Sequence, residues 1–210
     1  MNYLILLLFI FMFLYKTEAQ QRDFWHLKCD SVEYDRCGYV DENGMIKIPP
    51  GKYPVCFTDT FKNYAIVLTA KDLFVAIDRD EKVLFTVYNY DNGPDYVSDG
   101  AFRIVDDNKM GFADTTGKIF IKPQYDFVFP FENGFALVNV GGRNEKSDPT
   151  DPDCEHYTWT GGLWGIIDKN GKYIKDLKYL GEWNQDTKRF ELTSNNEKLQ
   201  ITNGQIIRIK

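Results

Sequence analysis

The sequence predicts an all-β protein, an array of antiparallel β-hairpin repeats of about 36 residues each. A short motif recurs as Gly38-Tyr39-Val40-Asp41, Val75-Ala76-Ile77-Asp78, Gly111-Phe112-Ala113-Asp114 and Gly165-Ile166-Ile167-Asp168, with its aspartates at spacings of 37, 36 and 54 residues. Aromatic residues make up 16% of the chain, whereas alanine occurs seven times and never after Ala136. Aromatic and β-branched residues suit strands, and alanine is the strongest helix former. No long stretch beyond the N-terminal region carries a helical apolar period.

The chain begins with an uninterrupted apolar run, Leu4 to Leu14, too short for a comfortable bilayer span and of the length of a secretory h-region. Thr17 and Ala19 place small residues at −3 and −1, so residues 1–19 read as a signal peptide cleaved after Ala19. An uncleaved anchor is the alternative. Residues 20–210 then form one exported domain, secreted or periplasmic, with no later run of membrane-spanning length. An oxidising compartment makes Cys29, Cys37, Cys56 and Cys154 candidates for two disulfides. Proximity favours Cys29 with Cys37, leaving Cys56 to pair with Cys154.

Each repeat starts as a hairpin. A short apolar strand runs into Asp-x-Asn-Gly or Asp-x-Thr-Gly, where the Asp side chain starts the turn and the Gly takes the left-handed conformation that ends it. The second unit has Asp80-Glu81 there, so a different turn is expected. A bend follows, clearest at Lys122-Pro123-Gln124-Tyr125-Asp126, and then another apolar strand such as Phe135-Ala136-Leu137-Val138. The units fall near 37–70, 74–108, 109–160 and 161–197, with a closing fragment at 198–210. The third carries a polar insertion at 143–160, expected to be a solvated loop tied down through Cys154. An open curved array is the favoured architecture. A small propeller-like closure is the alternative, although a blade takes about 40 residues and four strands.

Two units resemble the WG (or KWG) β-repeat of bacterial proteins. The fourth reads Leu163-Trp164-Gly165-Ile166-Ile167-Asp168-Lys169-Asn170-Gly171-Lys172. The third supplies the Lys122-to-Asp126 bend and the strand Phe131-Glu132-Asn133-Gly134-Phe135-Ala136-Leu137-Val138. The Trp-Gly pair itself occurs once, at Trp164-Gly165; the equivalent pairs are Cys37-Gly38, Phe74-Val75 and Met110-Gly111. The resemblance implies a hairpin-repeat fold and a binding or interaction role, and it brings no catalytic residue, metal or cofactor.

Composition and motifs narrow the function classes. A net charge of −6 argues against a nucleic-acid partner. The acids of the insertion, Asp148, Asp151, Asp153 and Glu155, do not follow the Ca²⁺-loop pattern, and Cys154 with His156 supplies only two zinc ligands. Neither His26 nor His156 stands in a nucleophile motif. The repeated Asp41, Asp78, Asp114 and Asp168 read as turn formers. Phe24, Trp25, Tyr157, Trp159, Trp164 and Trp183 are the aromatic candidates for a sugar or peptide groove, with Tyr157 and Trp159 beside the insertion the strongest. The expectation is an exported, non-enzymatic binding module for an unknown protein or glycan. An envelope polysaccharide hydrolase and a purely structural envelope component are the alternatives.

Overall fold

The computed structural model describes residues 24–30, 36–148, 150–202 and 204–209, so the signal region lies outside the described residues. Among the described residues there are strands and turns and no helix. The first strands are β1 (Trp25–Cys29), β2 (Cys37–Val40), β3 (Ile46–Ile48), β4 (Val55–Cys56), β5 (Thr60–Phe61), β6 (Ala65–Leu68), β7 (Phe74–Ile77) and β8 (Val83–Val87). A small hairpin, β9 (Asn89–Tyr90) and β10 (Gly93–Pro94), precedes β11 (Ala101–Asp106), β12 (Lys109–Asp114) and β13 (Ile119–Tyr125). The chain ends with β14 (Phe127–Val128), β15 (Phe135–Lys146), β16 (Tyr157–Asp168), β17 (Tyr173–Asn184), β18 (Arg189–Ser194), β19 (Glu197–Thr202) and β20 (Gln205–Ile209). They form three main antiparallel sheets, ordered β3-β2-β1-β5, β13-β12-β11-β8-β7-β6-β4 and β14-β15-β16-β17-β18-β19-β20. None closes into a barrel.

One turn is built four times. In each, one carboxylate oxygen of the motif aspartate accepts two backbone N–H bonds: Asp41 from Asn43 and Met45, Asp78 from Asp80 and Lys82, Asp114 from Thr116 and Lys118, Asp168 from Asn170 and Lys172. The residue three positions on takes a positive φ: Gly44 at 80°, Gly117 at 84° and Gly171 at 76°. Contrary to expectation, the second unit makes the same turn, with Glu81 forced to φ 61°. The carboxylate bonds of Asp78 impose the conformation that glycine would adopt freely. The turn also recurs where the sequence showed no motif: the Thr69 hydroxyl accepts from Lys71 and Leu73, and Asp72 sits at φ 56°.

The glycine that precedes the motif has a separate role. A Cβ on Gly111 would lie 2.4 Å from the Ile121 carbonyl oxygen and 2.6 Å from the Pro123 nitrogen. On Gly38 it would lie 2.3 Å from the Ile48 oxygen, and on Gly165 2.9 Å from the Lys175 oxygen. The returning strand therefore crosses directly over the missing side chain, and the register slips there: Met110 pairs with Tyr125 but Phe112 with Ile121, and Trp164 with Tyr179 but Ile166 with Lys175. The second unit has Val75 at this place, and no slip occurs there: Val75 pairs with Thr86 and Ala76 with Phe85, and the register shifts only between Ala76 and Ile77, next to the turn.

The core is handed along the chain by strands buried on both faces. Val75 and Ile77 of β7 pack with Trp25, Tyr39 and Phe61, while Phe74 and Ala76 face Phe85 and Phe102. Likewise Ala136 and Val138 of β15 join Phe112 and Phe131, while Phe135 and Leu137 join Trp164 and Tyr179. A strand covered on both faces has no need of apolar–polar alternation, which accounts for runs such as Phe74-Val75-Ala76-Ile77. Arg103 and Asp95 form a buried ion pair at 2.5 Å, with the guanidinium over the Tyr88 ring, and the Arg103 Nη1 donates to the Val128 carbonyl. Units two apart in the chain are also stitched by hydrogen bonds. Asn63 donates to the Thr116 carbonyl, Lys169 pairs with Asp99, and Asn133 donates to the Gly204 carbonyl, so each loop grips a motif turn beyond its own.

Two expectations are corrected. Cys29 and Cys37 face each other across β1 and β2 and form a disulfide, but Cys56 and Cys154 are free. Cys56 is buried in the first core, 3.7 Å from the Cys37 carbonyl oxygen, and burial pushes its thiol up to about 11. Cys154 sits at the tip of the β15–β16 hairpin with its thiol directed at the His156 carbonyl, a different part of the fold from the first core. The second correction concerns the insertion. Its two flanks are no loop: Arg143–Lys146 and Tyr157–Thr160 extend β15 and β16 in continuous register, and only 147–156 form the connecting tip. Tyr157, Thr158, Trp159 and Thr160 are all strong strand formers.

Two predictions follow from the turns and crossings. Gly111→Ala should cost about 3 kcal/mol in urea unfolding, the upper end of overpacking penalties, because backbone on both sides must move. Gly93→Ala, whose nearest neighbour would be the Tyr90 oxygen at 3.8 Å, should stay within about 0.5 kcal/mol of wild type. The second concerns pH. The Lys172 backbone N–H foremost holds the Asp168 carboxyl below its ordinary value, with further help from Asn170. A depressed folded-state value stabilises fully above the unfolded value of about 3.9 and is lost as pH falls through the folded one. The stability gap between wild type and Asp168→Asn should be widest near neutral pH and shrink in unfolding curves taken below about pH 4.

Candidate functional site

The outer half of the β15–β16 hairpin leans beside β17 and β18 and leaves a groove of about 760 Å³ between them. Phe127, Phe129, Tyr157, Trp159, Trp183 and Phe190 give it its aromatic lining. A second hollow of about 260 Å³ lies next to it and shares Phe129, Trp183 and Phe190. Tyr157 is 57% exposed and Trp183 48% exposed, so their rings stand open to solvent.

Trp159 is held from three sides. Its indole stacks on Phe127 with centroids 5.1 Å apart and planes 16° apart. Its N–H donates to Asn139 Oδ1 at 2.8 Å. Asn139 is fully buried; the same oxygen accepts from the Gly142 N–H, and its amide donates to the Gly161 carbonyl. Gly142 has to lack a side chain, since a Cβ would lie 2.3 Å from the Trp159 Nε1. The hairpin bends here through Gly141, Gly161 and Gly162, at φ 83°, 69° and 66°. The bend is tied back to the repeat by Asp126, which accepts from the Gly141 N–H at 2.7 Å and pairs with Lys109 at 2.5 Å. The Gly141 bond foremost, with Lys109, holds the Asp126 carboxyl below its ordinary range.

Trp183 lies directly opposite Phe190 in the β17–β18 ladder. Beneath it, Phe190 packs against Trp164 at 4.8 Å and Phe129 at 5.3 Å. Gly181 leaves room for this stack, because a Cβ there would meet the Trp164 ring at 2.6 Å and the Phe190 ring at 2.8 Å.

The structure brings Tyr157, Trp159 and Trp183 together and separates the other aromatic candidates. Trp164 is wholly buried, and Trp25 lies in the first core. Phe24 sits beneath the Lys62 ammonium. Phe127, Phe129 and Phe190 escaped sequence reasoning; the one local signal was the aromatic run Phe127-Val128-Phe129-Pro130-Phe131. Two acids of the insertion are occupied by turns: Asp148 accepts from the Thr150 N–H, and Asp151 from the Asp153 N–H. Among the described residues no group of three or more His, Cys, Asp or Glu side chains is placed to hold a metal ion.

Residues 110–143 match the family model described as WG containing repeat. The match runs from β12, through the crossing at Gly111 and the Asp114 turn, to the bend of β15 at Gly141 and Gly142. No curated protein matches the chain.

The Asn139 contacts lead to a direct test. Asn139→Ala leaves the Trp159 and Gly142 N–H groups without their acceptor, and stability should drop by about 1–3 kcal/mol. Tryptophan fluorescence should shift to the red as Trp159 gains access to water.

Proposed function

Taking the chain as a WG-repeat protein, we propose that it is an exported, non-enzymatic binding module and that the groove of Tyr157, Trp159 and Trp183 is its ligand site. The observation that carries this reading is the exposed aromatic groove itself, built on a rigid hairpin whose inner indole is fixed by a buried hydrogen-bond network. Binding sites favour concave, mostly apolar surfaces with a few polar groups at the rim. The repeated carboxylates support a non-catalytic role, since each is committed to its own turn. Export is supported by the apolar run at Leu4 to Leu14, the small residues Thr17 and Ala19, and the Cys29–Cys37 disulfide, which suits an oxidising compartment.

A structural envelope role has one observation in its favour, the unpaired outer edge of β20. That strand carries Arg208, and charged residues on an edge strand work against edge-to-edge assembly. Immobilised protein should retain a component from envelope or culture fractions of its own source, and Trp183→Ala should lose it. Equal retention by both proteins would count against the groove.

A further inference from the structure

We infer that the groove takes a neutral oligosaccharide; this deepens the reading of the groove as the ligand site and rests on it. The first observation is the form of the surface. The exposed faces of Tyr157 and Trp183 and the half-buried Trp159 offer flat apolar platforms, the shape that stacks on the C–H face of a sugar ring. The second is continuity. Trp183, Phe129 and Phe190 border both hollows, so the indole of Trp183 stands between two adjacent sites. Neighbouring sites sharing an aromatic divider fit a chain of ring units better than one compact molecule.

The third observation is charge. The two hollows are lined by three carboxylates, Glu132, Glu145 and Glu182, and three cations, Lys146, Lys188 and Arg189. Glu145 is paired with Arg143, the Lys146 ammonium donates to the Pro152 carbonyl, and the Arg189 guanidinium donates to Gln200 Oε1. A lining so balanced offers no concentrated charge of either sign to sulfated, phosphorylated or uronate-rich chains and accepts neutral ones. The Gln185 amide at the rim supplies a donor and an acceptor for sugar hydroxyls.

The test titrates the purified protein, by calorimetry and tryptophan fluorescence, with neutral hexasaccharides of β-1,4-glucose, α-1,4-glucose and β-1,4-N-acetylglucosamine. A heparin hexasaccharide and a proline decapeptide serve as the other probes. At least one neutral hexasaccharide should bind saturably, with its trisaccharide weaker, and Trp183→Ala should weaken it about tenfold or more. Tyr157→Ala, a change at an exposed site, should weaken it in the same direction; urea unfolding checks that both variants stay folded. Failure of every neutral hexasaccharide to bind overturns the inference. Heparin or the peptide binding to wild type and not to Trp183→Ala, in place of a neutral sugar, overturns the saccharide but keeps the groove as the site. A hexasaccharide bound equally by wild type, Trp183→Ala and Tyr157→Ala overturns both.

Discussion

A side chain that is absent governs this architecture. At Gly38, Gly111 and Gly165 the returning strand of a hairpin crosses the space where a Cβ would stand and turns away from its partner, slipping its register at Gly111 and Gly165. Having turned, it leaves one sheet for the next: β3 belongs to the first sheet and β4 to the second, β13 to the second and β14 to the third. In the fourth unit the same crossing lets β17 pair with β16 up to Tyr179 and with β18 from Leu180 onward. Where Val75 replaces the glycine, no crossing occurs. β8 stays in its sheet and pairs with β11, so two units merge into one seven-stranded sheet. Sheet boundaries thus follow one atom per repeat.

This also shows which part of the repeat was legible. The aspartate turn can be read locally, because a carboxylate accepting from the residues two and four positions on needs nothing beyond its own loop. The pair Trp164-Gly165 looked like the intact motif and Met110-Gly111 like a worn one. Structurally the two are equivalent: the glycine is demanded by backbone, whereas the residue before it is a core position that Met110, Phe74 or Trp164 fills. The turn at Thr69 was invisible because a hydroxyl does the carboxylate's work and no Gly–aliphatic pattern precedes it. Glu81 shows the converse, since a local rule that asks for glycine yields to two side-chain-to-backbone bonds from Asp78.

The groove was legible only in half. Tyr157 and Trp159 stand out in sequence because they follow a polar, Pro-rich stretch, but their partners come from β14, the β14–β15 connection, β17 and β18. Such a set becomes visible once the topology has placed β14 and β18 on either side of the hairpin. The insertion misled for a related reason. Its Asp and Pro residues dominate its composition, but they crowd into the tip at 147–156, and the flanking segments are ordinary strands. Sequence alone matches Cys154 with Cys56 only as the pair left over from Cys29 and Cys37, and Cys56 is a residue of the first core.

Site and repeat are joined at Asp126. It closes the repeat's own bend, where Lys122-Pro123 crosses Gly111, and pairs with Lys109 at the start of the same hairpin. Its other oxygen accepts from Gly141, where the elongated hairpin departs from the repeat. Two residues before that departure, Asn139 fixes the indole of Trp159. A short path of hydrogen bonds therefore runs from the bend common to the repeats to the ring that floors the groove. The repeat supplies the base, and the outer strands of the elongated hairpin add the aromatic groove to it.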